Sequence, residues 1–250
     1  MAQHLHPWPG QHPSSAERER PRDRRVKIPL GILAIVALLL LSFQFLAPPP
    51  GPGALKARTD LPWQITSRPQ GGSRVFDLDL GSATLGDAMA KFGGVESVAV
   101  FEPADGPLVL EAYFGNVQFG PLTAKVIVGL EASAEELATL RDHAAARQGS
   151  PSGDWKYTLS DDPALHAARR LTVISYIPGT RNLDTAFFRE RFGEPTAWLT
   201  ESERAVSWFY PQLGLSIMID EDTREVLEYQ PPRDFIMPPG VTLNPDAEAR

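Results

Sequence analysis

Leu122-Thr-Ala-Lys-Val-Ile-Val-Gly-Leu130 and Leu213-Gly-Leu-Ser-Ile-Met-Ile-Asp220 decide the fold class. In the first stretch, Leu122, Ala124, Val126, Val128 and Leu130 fall on one side of a pleat, with Thr123, Lys125, Ile127 and Gly129 on the other. In the second, Leu213, Leu215, Ile217 and Ile219 oppose Gly214, Ser216, Met218 and Asp220. Alternation with a period of two marks half-buried strands, so each stretch gives a sheet one face rich enough to bury. Outward from these, Leu108 to Phe114, Val117 to Phe119, Ala205 to Tyr210 and Glu225 to Tyr229 read as partner strands. Gly115-Asn116 and Asp220-Glu-Asp-Thr-Arg224 supply turns between them.

The chain says the same thing twice. Arg74 to Leu80, Gly81-x-x-x-Leu85-x-x-Ala88 and Phe92-Gly93 precede the first set of strands; Leu171 to Ile177, Gly179-x-x-x-Leu183-x-x-Ala186 and Phe192-Gly193 precede the second. Helices are expected around the sheets. Ser133-x-x-Glu136 is a capping box opening Ala134 to about Arg147. Asp162 and Pro163 start a shorter helix through about Arg169, and Asn182 or Asp184 caps Leu183 to Phe192, with Ala186, Phe187 and the Arg191 stem turned inward. The expected class is α+β: a domain over 74–235, with two tandem helix-plus-antiparallel-sheet units at 74–132 and 170–230, and a tail at 236–250.

Before that domain, Ile28 to Ala47 runs 20 residues without a charge and ends at Pro48-Pro49-Pro50. At about 1.5 Å per residue this matches a hydrocarbon core of roughly 30 Å, and it exceeds the apolar run of a cleaved signal peptide. It is expected to be a transmembrane helix set in the lipid bilayer. Six basic residues precede it (Arg18, Arg20, Arg22, Arg24, Arg25, Lys27), against Lys56, Arg58 and Arg68 after it. That bias predicts a single-pass protein of the inner (cytoplasmic) membrane, with a disordered cytoplasmic tail at 1–27, a Pro/Gly-rich linker at 48–73 and the domain in the periplasm.

Composition narrows the chemistry. The net charge is −7 and residues 1–27 carry +3, which leaves about −10 after Lys27. An acidic exterior repels phosphate backbones, so no nucleic acid is expected as a partner. The absence of cysteine excludes disulfides, thiolate metal sites, a cysteine nucleophile and a lipidated cysteine anchor. His4, His6 and His12 lie in the tail without a spacing that fixes metal geometry, and the exported part holds only His143 and His166. No nucleophile elbow or phosphate loop accompanies them, so neither a catalytic residue, a metal nor a cofactor is assigned. The competing enzyme or ligand-binding reading would use His143, His166 or Asp220. Asp220-Glu221-Asp222 lacks the glycine and distal Glu of a calcium loop and reads as a hairpin turn. The aromatic residues Trp198, Trp208 and Tyr210, with Phe235 in Pro231 to Pro239, are the candidate binding residues. Trp208 and Tyr210 share one side of a strand and Phe209 takes the other, which leaves one side for an envelope protein partner.

Gly179-x-x-x-Leu183, Phe192-Gly193-Glu194-Pro195, Val206-Ser-Trp208-Phe-Tyr210, Leu213 to Asp220 and Glu225-Val226-Leu227 together resemble the SmpA/OmlA family and the related β-lactamase-inhibitor-like fold. The resemblance covers about 55 of 250 residues. It implies a non-enzymatic binding module of a bacterial envelope. Members of that family are anchored through a lipidated cysteine, which this chain lacks.

Overall fold

The alternating stretches become antiparallel strands. The structure is a computed structural model that describes residues 60–104, 106–150, 153–180 and 183–247. The two deciding stretches form β6, Leu122–Leu130, and β12, Leu215–Asp220. The remaining strands are β1 Thr66–Arg68, β2 Gly72–Val75, β3 Leu78–Leu80, β4 Ser97–Glu102, β5 Val109–Phe119, β7 Ala146–Gly149, β8 Trp155–Thr158, β9 Leu171–Pro178, β10 Ala197–Thr200, β11 Ala205–Tyr210, β13 Val226–Tyr229 and β14 Thr242–Leu243. The helices α1 Leu85–Phe92, α2 Ala134–Asp142 and α3 Thr185–Phe192 have only eight or nine residues each.

Eleven strands form one antiparallel sheet in the order β14-β10-β11-β12-β13-β9-β6-β5-β4-β8-β7, and β1-β2-β3 form a small second sheet. This corrects the expected α+β pair of units: among the described residues strand outweighs helix, and the two passes are one sheet. They do share a plan. The first helix ends at Gly93 (φ 100°) and leads into β4, β5 and β6; the third ends at Gly193 (φ 79°) and leads into β10, β11 and β12. They do not close separately, because β9 pairs with β6 along one edge and with β13 along the other. Two separate sheets would each leave a row of N–H and C=O groups unpaired at that boundary, and the shared strand satisfies both.

Several local expectations change. Arg74 to Leu80 and its counterpart Leu171 to Ile177 differ: the first is a hairpin of β2 and β3 turning at Phe76 and Asp77 (φ 54° and 63°) in the small sheet, the second lies within the single strand β9. Gly115-Asn116 is not a turn. β5 continues through it with a bulge, where Gly115 takes φ 67° and a Cβ would overlap the Glu96 carboxylate; the turn falls at Gly120-Pro121. The second helix stops at Asp142, since Ala146–Gly149 pairs with β8, and the helix expected after Asp162 is a single 3-10 turn, Pro163–His166. In α3 the buried side chain is Phe188, while Ala186 is exposed and Phe187 half-buried. The part of the linker that is described joins the fold: β1 pairs with β2, and Pro62 O accepts a hydrogen bond from the buried Tyr229 hydroxyl at 3.0 Å.

The single-pass inner-membrane topology is also corrected. No helix among the described residues is long and apolar enough to cross a membrane. Ile28 to Ala47, on which that topology rested, lies outside the described residues, as do the tail before it and residues 48–59 of the linker.

Register sorts the side chains of the long sheet onto two faces. Leu110, Ala112, Val126, Val128, Ile174, Tyr176, Ile217 and Leu227 fall on the inner face and are buried with Leu85 and Ala88 of α1, Phe188 of α3 and Val75, Phe76 and Leu80 of the small sheet. Phe76 is central, with ring centroids 5.0 Å from Phe119, 5.2 Å from Tyr229, 5.7 Å from Tyr176 and 6.0 Å from Phe92. Thr84 caps α1 in a reciprocal box with Asp87, and the Leu85 and Gly86 N–H groups donate to Arg169 O and Ala167 O at 2.9 and 2.8 Å. The free donors at that helix end thereby tie it to the segment entering β9.

Candidate functional site

The outer face of the sheet carries the candidate site. The residues between those of the inner face point there: Ser97, Ala99 and Phe101 on β4, Glu111 and Tyr113 on β5, Lys125 and Ile127 on β6, Lys156 on β8 and Ile177 on β9. These nine side chains from five strands line one depression of about 280 Å³. An antiparallel sheet with one solvated face ordinarily alternates apolar inward and polar outward. Here Phe101, Tyr113, Ile127 and Ile177 break that rule, each half-buried, and Val173 and Val226 extend the apolar surface along β9 and β13. Toward β10 and β11 the same face is closed, with Ala197, Ser207 and Phe209 buried.

Polar groups rim the apolar floor. Lys125 is exposed and Lys156 half-exposed, and neither forms an ion pair among the described residues. Lys156 Nζ lies 5.9 Å from the Phe101 ring centroid, the outer limit of a cation–π contact. Glu111 stands between Ala99 and Gly129 in the ladder. Burial raises its carboxyl above the ordinary range, the nearby Glu228 carboxylate adds to the rise, and Lys156 acts against it. Gly129 opens the floor beside Glu111: a Cβ there would lie 2.6 Å from Thr172 Oγ1 and 2.7 Å from Val173 Cγ1, so the side chains of β9 lean across it.

The residues singled out from sequence lie elsewhere. Trp208 and Tyr210 do share one side of β11, but it is the inner side: they are 5% and 0% exposed. The Tyr210 hydroxyl donates to Gly193 O at 3.0 Å, burial holds it far above its ordinary pKa, and the Arg189 guanidinium sits 5.0 Å from the Trp208 ring. Trp198, half-buried, is the cross-strand partner of Trp208 and packs against the same core. Phe235 follows the 3-10 turn Pro232–Asp234 and is half-buried outside the core cluster. The structure thus pairs Trp198 with Trp208 and turns Tyr210 inward beside them, with no exposed aromatic face on β11.

His143 is exposed at the end of α2, its Nδ1 2.7 Å from Thr139 O. His166 is 4% exposed and held on both ring nitrogens, Nε2 by Asp161 Oδ2 and Nδ1 by Arg169 Nε, each at 3.2 Å. Arg169 Nε donates, so Nδ1 accepts and the ring proton sits on Nε2 facing Asp161. The arrangement fastens the approach to β9, since Arg169 also donates to Glu131 O at 3.0 Å. Asp220 accepts from Asp222 N–H at 2.8 Å and Thr223 hydroxyl at 3.0 Å, as a hairpin turn requires. The cleft beside Asp220 includes neither histidine.

Sequence reasoning missed Phe101, Glu111, Lys156 and Ile177 as site residues. One signal was present: Ile127 falls on the polar side of the β6 alternation, where a solvated strand has no need of it. No family model matches the chain, and neither the curated proteins nor the solved structures contain a match. The SmpA/OmlA resemblance therefore rests on the residues quoted for it.

Proposed function

We propose that this chain is a non-enzymatic protein-interaction module that holds a partner on the outer face of its long sheet, across β4, β5, β6, β8 and β9. The observation that carries the reading is the apolar floor of Phe101, Tyr113, Ile127 and Ile177 on a face that would otherwise be polar. Contiguous apolar surface rimmed by polar groups marks an interaction site. Scale favours a protein over a small molecule. Five strands at about 4.8 Å spacing span roughly 20 Å, wide enough for the centre of an interface that buries about 800 Å² per partner and whose rim extends beyond these strands. The depression itself, about 280 Å³, has a shallow apolar floor that continues onto Val173 and Val226, which suits a broad protein surface. The partner suited to it is apolar at its centre, with carboxylates placed for Lys125 and Lys156 and a hydrogen-bond donor for Glu111.

The test is co-purification of the full-length chain from the cells that make it, with Ile127→Asp and Ile177→Asp. Both positions are half-buried on the outer face, so the inner core stays intact. The reading expects a stoichiometric protein partner with the native chain and none with either variant. A partner retained by both variants would place the binding surface elsewhere.

A further inference from the structure

A second polar site lies on the other side of the sheet, where β13 begins beneath the N-terminal end of α3. Glu225 is 3% exposed. Its Oε1 accepts the Leu183 N–H at 2.9 Å, but its Oε2 is buried with no hydrogen-bond partner. A buried carboxylate oxygen left unpaired is costly, and native folds rarely tolerate one without a use for it. Glu225 lines a cleft of about 300 Å³ together with Asp184, Asp220 and Glu221, walled by Leu183 and Ile219.

The charges in this cleft are of one sign. Asp184 Oδ1 caps α3 by accepting the Phe187 N–H at 2.8 Å, which answers the positive end of that helix. The N–H of Asp222 and the Thr223 hydroxyl hold the Asp220 carboxyl below its ordinary range, so it is ionised at neutral pH. Among the described residues, the nearby cations are committed. Arg204 pairs with Glu221 at 3.2 Å and Asp222 at 2.7 Å, and Arg224 donates to Pro178 O and Gly179 O at 2.7 Å.

We propose that this cleft binds an organic cation, a guanidinium or primary ammonium on an alkyl stem, with Glu225 Oε2 as its deepest acceptor and Asp220 and Asp184 at the rim. Two observations select this class over a metal ion. No group of three or more acidic or histidine side chains among the described residues is placed to hold a metal. Leu183 and Ile219 supply apolar wall, which suits an alkyl stem and does nothing for a bare ion. The cation can arrive as a free amine or as an arginine or lysine side chain of a protein.

Calorimetric titration of the full-length chain tests this with n-butylguanidinium and n-butylamine, against n-butylurea as the uncharged match in shape. The cations are expected to bind saturably at one site and n-butylurea not to bind. Glu225→Gln should weaken the cations by about tenfold or more, the scale of one charge-assisted hydrogen bond. If circular dichroism shows that Glu225→Gln does not fold, Asp220→Asn with Glu221→Gln takes its place, with a loss of about threefold or more expected from removing rim charge. An Ala-Arg-Ala amide that binds about tenfold tighter than n-butylguanidinium identifies a protein side chain as the source, and equal binding identifies a free amine. Absence of saturable cation binding, binding unchanged in the variants, or displacement of the cation by an equal concentration of calcium would overturn the proposal.

Discussion

At the scale of single residues, the outer face places an acid where an acid is disfavoured. Glu111 sits in the depression with its carboxyl raised by burial and by the Glu228 carboxylate. The sign follows from linkage. A carboxyl whose folded pKa exceeds its unfolded value binds more protons in the native state, so stability falls as pH rises from about 4.3, the unfolded Glu value, through the folded value. Glu111→Gln should therefore raise the melting temperature at pH 7 and give little or no gain below pH ~4. An equal gain at both pH values would show that the carboxylate carries no such penalty. A group retained despite this cost fits a surface that a partner completes by donating to it.

The hairpin of β2 and β3 shows what an element gains from one strained residue. Phe76 adopts φ 54°, a conformation that bulky residues rarely take, yet it is 0% exposed among four other rings. Asp77 next to it accepts from Lys91 at 2.9 Å, and Lys91 also bonds Asp60 at 3.0 Å. Burial alone would lower the Lys91 pKa, but these two carboxylates outweigh it and hold the ammonium above its ordinary value. Phe76→Ala should cost about 3–5 kcal/mol in urea denaturation, the penalty for emptying an aromatic site in a core. A cost under about 1 kcal/mol would mean that the Phe76 ring contributes little packing, since Ala keeps the Cβ that strains this left-handed position. The legibility of elements follows the same physics. β6 was readable because its alternation is complete from Leu122 to Leu130. Gly115 was misread because a bulge and a tight turn both call for a left-handed residue, and sequence does not distinguish them. Trp208 and Tyr210 were placed on a shared side correctly, but alternation shows which residues face together and not which face is inside. Aromatic residues serve cores and interfaces alike.

For the whole molecule, β9 is the seam. Tyr176 stands opposite Val126 on one side and Leu227 on the other, so the ladder passes without interruption from the first pass to the second. The repeat was visible in the paired Phe-Gly helix stops, but no local pattern could tell whether two similar units join edge to edge. One continuous sheet should unfold as one. Fluorescence variants retaining only Trp155 in the first half or only Trp208 in the second are expected to give the same urea midpoint, and separated midpoints would mean that the halves are independent. Joining the halves also produces the broad outer face on which the proposed function depends. The most direct test of that face is photo-crosslinking in cells from positions 127 and 177 on the outer side, with positions 186 and 190 on exposed turns of α3 as the matched control. The account predicts that 127 and 177 capture the same protein and that capture is lost with Lys125→Glu, while 186 and 190 do not capture it. Capture of that protein from 186 and 190, with none from 127 or 177, would contradict it.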